Sequence, residues 1–151
     1  MTGARVLCLA EIVARIDAAG IYRSTGGAAD LARAGASGAI GGAAAFVLPG
    51  SEAAAPSGIA GGVQHRAVEA RFIVLSVAED IRSDAGAGAL SALERVRGEL
   101  IAALAGFRPA WADSPAAHER GQLVTGPMPG GRLGWQDEFT IRFRRRLPQG
   151  D

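Results

Sequence analysis

From Trp135 to Phe143 the odd positions read Trp, Asp, Phe, Ile and Phe, and the even ones Gln, Glu, Thr and Arg. Successive side chains of a strand point to opposite faces, so this segment predicts a half-buried strand with one apolar and one wet side. Asp137 is the misfit on the apolar side, and its place near the strand start suggests an opening to water there. An arginine run, Arg142 to Arg146 interrupted only by Phe143, closes the segment.

Upstream, Val6, Leu9, Ala10, Val13 and Ile16 fall at helical spacing, and Gly20 supplies a stop. This helix carries Cys8, a small core residue on that reading. Ile21 to Arg23 reads as extended and Ala28 to Ala34 as a short helix. Ala43 to Leu48 predicts a strand closed by Pro49-Gly50. Residues 51–62, mostly Ala, Pro, Ser and Gly, predict a mobile loop. Val63 to Ala78 is the longest strand signal, and its centre, Phe72 to Leu75, is apolar on both faces, as in a strand covered on both sides.

Asp80 to Gly88 reads as a connection. A second main helix follows over Ala89 to Ala105. Leu90, Leu93, Val96, Leu100 and Leu104 form its buried stripe, and Glu94, Arg95, Arg97 and Glu99 its solvated side. Gly106 ends it. Gly121 to Thr125 predicts a modest strand that forms a hairpin with Leu133 to Phe143 across a turn at 126–131. Residues 148–151 read as a frayed tail. The elements sum to an α+β fold, a mainly antiparallel sheet of about four strands packed on one face against two main helices. Residues 1–151 form a single domain on this reading.

Composition narrows the function. Aromatics are only 5%, so the core is aliphatic, and the formal charge of +1 argues against a polyanion binder acting through bulk electrostatics. All sixteen basic residues are arginine. A GC-rich coding genome accounts for that, and selection for bidentate interface contacts is the alternative. One cysteine allows no internal disulfide and fits a reducing compartment. No apolar run reaches the about 18 residues of a membrane span, so no membrane partner is expected.

Candidate chemistry is sparse. Gly86-Ala87-Gly88 lacks the third glycine of a dinucleotide-binding turn, and Gly35, Gly38 and Gly41 lack the Lys-Ser or Lys-Thr ending of a phosphate loop. His65 and His118 are the only histidines, with no paired ligand spacing to Cys8. No nucleophile elbow is present. The reading is of no enzyme, no cofactor and no metal. The Arg142–Arg146 run has two readings, a solvated strand end guarding an aggregation-prone strand, or a contact with an acidic partner surface or with passing DNA.

Two stretches together carry a resemblance. The first is Ala44-Ala45-Phe46-Val47-Leu48-Pro49, then Gly61-Gly62-Val63-Gln64-His65-Arg66 after a small-residue loop. The second is Leu104-Ala105-Gly106-Phe107-Arg108-Pro109, then Gly121-Gln122-Leu123, then Leu133-Gly134-Trp135-Gln136-Asp137-Glu138-Phe139-Thr140. In this order they resemble the tail-terminator-like proteins of long-tailed phages, prophages and gene transfer particles, over roughly residues 4–146.

That resemblance implies a ring of about six copies on the head-proximal end of the tail tube. The ring stops tube polymerisation and provides the head-joining surface, and DNA passes through its lumen without being read. The implied partners are other copies of the chain, the tail tube protein and a head-completion or neck protein. The implied setting is the host cytoplasm during assembly and the virion afterwards. From exposure and charge, Ser51, Glu52, Gln64, His65, Arg66 and Glu69 are the expected subunit or partner interface. Arg142, Arg144 and Arg146 are the expected polar face toward a partner or the lumen. A head-side neck protein of the same particle is the alternative, followed by a small bacterial enzyme or ligand-binding domain.

Overall fold

The computed structural model describes residues 4–37, 43–56, 58–60, 63–79, 87–124 and 132–148. Three helices, α1 (Ala10–Ala18), α2 (Ala28–Ser37) and α3 (Ala87–Leu104), accompany six strands. The strands are β1 (Ser24–Gly26), β2 (Ala44–Ala54), β3 (Gly58–Ala60), β4 (Val63–Glu79), β5 (Ala117–Leu123) and β6 (Arg132–Pro148).

The sheet order is β1-β2-β4-β6-β5, with β3 continuing along β4. β1 joins β2 in parallel and every other pairing is antiparallel. The spine is the ladder between β4 and β6, which runs unbroken from Val63↔Pro148 to Glu79↔Arg132. At 17 residues each, these strands extend roughly 55 Å.

Alternation along the spine makes two unlike faces. On one, Val68, Ala70, Phe72 and Val74 of β4 and Phe139, Ile141 and Phe143 of β6 pack beneath α1 and α3. Phe72 stacks on Phe139 with ring centroids 5.3 Å apart. The helices supply Ile12 and Ile16, and Val96, Leu100 and Leu104, all fully buried. Deleting one such side chain to Ala typically costs about 2–5 kcal/mol. Both helices stop where a glycine takes up positive φ, Gly20 at 66° and Gly106 at 79°. α2 lies on the opposite face, where Leu31 covers Ala44, Phe46, Leu75 and Val77. Beyond that cluster the second face carries no helix among the described residues.

The α+β class and the mainly antiparallel sheet agree with the sequence reading, with differences in extent. Among the described residues the sheet has six strands rather than about four, and α2 supplies the cover on the second face that the apolar centre of β4 predicts. Residues 51–62 were expected to be a loop, yet Ser51–Ala54 continue β2 and Gly58–Ala60 form β3. Pro49 and Gly50 do not end β2. The strand bulges between Pro49 and Ser51 and resumes pairing at Arg71, as an edge strand tolerates proline. β6 also runs through the whole arginine run to Pro148, because β4 pairs with it to that point. The expected frayed tail thus begins inside a strand, and positions 149–151 lie outside the described residues, as do 61–62, the connection at 80–86 and the turn at 126–131. Cys8 precedes α1 and is exposed, not a core residue. Leu90, expected in the buried stripe, is 44% exposed.

Candidate assembly surface

Polar groups under the helices are tied to one another. Asp137 sits on the helix-covered face of β6 with no exposed surface. Arg97 of α3 meets it with two bonds, Nε to Oδ2 at 2.9 Å and Nη2 to Oδ1 at 2.8 Å. His118 of β5 places Nε2 2.9 Å from the same Oδ1. The Arg97 guanidinium stacks 4.1 Å from the Trp135 ring centroid, and the His118 ring meets Phe139 edge-on at 5.2 Å. A methyl at Gly121 would lie 2.6 Å from Arg97 Nη2, Asp137 Oδ1 and Trp135 Nε1 alike, so only glycine leaves room for the cluster. Nearby, the Tyr22 hydroxyl and Ser76 Oγ share a buried hydrogen bond of 2.7 Å. Burial pushes the Tyr22 phenol up to about 12, against the opposing pull of the Ser76 bond.

The expected opening to water at Asp137 is therefore absent. Sequence reading assigned Arg97 to the solvated side of α3. Arg97 nonetheless lies four residues after Leu93 and three before Leu100, on the line of the buried stripe. A buried-side carboxylate and a stripe-line arginine are complementary misfits, and that pairing was the available signal.

A second tie holds the N-terminal segment to the same face. Glu52 accepts from the Leu7 amide at 2.7 Å and from Arg145 Nη2 at 2.6 Å, while Arg145 Nε donates to the Arg5 carbonyl at 2.8 Å. Desolvation would raise the Glu52 carboxyl, but the Leu7 amide and the Arg145 guanidinium outweigh it and hold it below the usual carboxylate range.

The uncovered face carries a further set of charges. Register puts His65 opposite Arg146, Ala67 opposite Arg144 and Glu69 opposite Arg142, and Ser51 opposite Arg71. Ser51, His65, Glu69, Arg142, Arg144 and Arg146 thus share this face. Glu52, Gln64 and Arg66 alternate onto the helix side, so the structure divides the expected interface residues between two faces. Within the uncovered face, Glu69 pairs with Arg142 at 3.4 Å and Arg71 at 3.9 Å. Glu138 pairs with Arg71 at 3.1 Å and Arg120 at 3.5 Å. Arg144 and Arg146, both exposed, have no carboxylate partner among the described residues. A cleft of about 230 Å³ lined by Ser114, Pro115, Glu119, Thr140 and Arg142 opens here too. It is smaller than the roughly 300–1,000 Å³ of small-molecule sites and has room for a side chain or two.

Among the described residues no cluster of three or more His, Cys, Asp or Glu could hold a metal ion. No helix is long and apolar enough to cross a membrane among the same residues. Fold and surface together define a small α+β protein that offers strand edges and arginine side chains to its surroundings, with its carboxylate–imidazole chemistry bound up inside. The chain belongs to the phage tail terminator family, whose profile, described as phage tail terminator protein, matches residues 3–149. It is accordingly a structural protein of the phage tail and a component of the virion. Comparison with curated proteins gave no match.

Proposed function

We propose that copies of this chain, each one domain, close into a ring of about six that caps the head-proximal end of the tail tube. Adding the ring covers the growing face of the tube, so a further tube ring loses its docking surface. The opposite side of the ring then offers the surface on which the head-completion or neck protein docks. Assembly takes place in the host cytoplasm, and DNA later passes through the lumen without sequence-specific contacts. The observation that carries this reading, beside family membership, is the uncovered sheet face with Arg144 and Arg146, which meet no carboxylate among the described residues. An unpaired guanidinium on an exposed strand is suited to a carboxylate or phosphate partner. Six copies would repeat each weak contact around the ring and make the sum cooperative.

Electron microscopy of particles from a phage or prophage lacking this gene tests the proposal. Headless tails of uncontrolled length are expected. Tails of normal length beside unattached, filled heads would move the protein to the head side of the neck. Intact particles would overturn both readings.

A further inference from the structure

Among the described residues, two strand edges of this sheet are left without a neighbour. β5 is exposed along nearly its whole length, with only His118 half-buried. β2 is covered by β1 only from Ala44 to Phe46, and beyond Leu48 every residue to Ala54 is exposed. Among the described residues, the backbone of neither edge bonds to anything but its inner neighbour and that neighbour's strand. Exposed edges of this kind are templates for another strand.

Three relationships make the two edges complementary to each other. The first is polarity. β2, β4, β6 and β5 alternate in direction, so β5 runs antiparallel to β2. A second copy rotated about an axis along the strands keeps these directions and brings its β5 antiparallel against β2. The second is level. Ser51 connects through Arg71 and Thr140 to Ala117, and Leu48 through Ile73 and Glu138 to Arg120. Antiparallel hydrogen bonds run perpendicular to the strands, so the edges meet with little or no sliding. The third is irregularity. β2 bulges between Pro49 and Ser51, and β5 between His118 and Arg120. These breaks fall at adjacent levels, so a regular foreign strand would suit either edge less well than the other edge does.

We infer that the β5 edge of one copy pairs with the outer edge of β2, Leu48 to Ala54, on the next copy, making one continuous sheet across subunits. The contact is head-to-tail, uses two different edges, and therefore propagates and closes instead of stopping at a dimer. It rests on the ring reading above and specifies which surfaces build it. It also sets every uncovered face on the same side of the continuous sheet, so that Arg144 and Arg146 of all copies form one basic band.

Cysteine cross-linking within assembled particles tests this, in a Cys8→Ser background. Ser51→Cys and Ala117→Cys are at the same level and on the same face. Directly opposed antiparallel positions approach closely enough for a disulfide. Ala53→Cys with Ala117→Cys, joined by a short bis-maleimide, covers a small stagger. A ladder of multiples of the chain from the paired variants, and none from either single variant, is expected. Dimers from Ala117→Cys alone would mean that β5 pairs with itself and would overturn the inference. Rings that incorporate normally but never cross-link would also overturn it while leaving the capping role standing. Protein that enters particles only as a monomer would overturn both. If the substituted chains fail to fold, amide hydrogen exchange on the unsubstituted protein decides. Protection at both edges is expected in particles, and free exchange at either would contradict the pairing.

Discussion

Arg97 grips both oxygens of the fully buried Asp137, at 2.9 and 2.8 Å, and so ties the middle of α3 to the first half of β6. His118 adds the β5 edge to the same carboxylate. The cluster stabilises the helix–sheet layer. Breaking a buried pair by removing one partner strands the other charge, at a cost of about 3–5 kcal/mol. Arg97→Met or Asp137→Leu alone is expected to lose that much in urea unfolding. The double variant is expected to recover a large part, because neither charge is then left unpaired. Equal losses in the single and double variants would contradict the assignment.

Gly121→Ala is expected to destabilise the protein by about 1–3 kcal/mol, as overpacking does. Its new methyl would fall 2.6 Å from three atoms of the Arg97, Asp137 and Trp135 group. Thermal unfolding measures this, and the loss should shrink in an Arg97→Met background, where one of those atoms is absent.

Tyr22 is the single tyrosine, so tyrosinate absorbance reports it alone. It should titrate near 12 in the folded protein and near 10 when unfolded. The folded value is the raised one. The phenol's stabilising contribution is therefore complete below pH 10 and is lost as pH rises from there through about 12. Titration of the native protein near 10 would contradict the burial.

Glu52 works in the other direction. Its folded carboxyl lies below the ordinary value of 4.5, so the tie to Leu7 and Arg145 is intact above that pH and weakens as pH falls through the lowered value. Limited proteolysis of the N-terminal segment should quicken in that acid window. Glu52→Gln should show the quickened cleavage already at neutral pH.

Arg144→Ala with Arg146→Ala should leave unfolding midpoints nearly unchanged, since both side chains are exposed and meet no carboxylate among the described residues. Particle yield should fall instead, by tenfold or more, with Arg→Glu reversals worse than alanine. Normal yield from the double alanine variant would remove these arginines from the partner face.

Strong periodicity made much of this fold readable. β6 showed itself by alternation and α3 by its leucine stripe, and α3 ended near Gly106. The distal half of β2 was illegible because Ser51, Ala53 and Ala54 are exposed and small, leaving no contrast between faces. The reach of β6 through the arginines depends on β4 lying beside it, a non-local fact. Alternation alone put Arg142, Arg144 and Arg146 on one face correctly. Glu52, Gln64 and Arg66 lie on the opposite face from Glu69 and His65, because neighbours in sequence point to opposite sides of a strand. Arg97 was missed because charge was read as exposure.

The most direct test of the capping claim is tube length in a reconstituted reaction. Purified tail tube protein is set to polymerise with increasing amounts of this protein, and tubes are measured by electron microscopy. Shorter tubes are expected as the ratio rises, each with added density at one end only. Tubes of unchanged length, bare at both ends at every ratio, would contradict the capping claim.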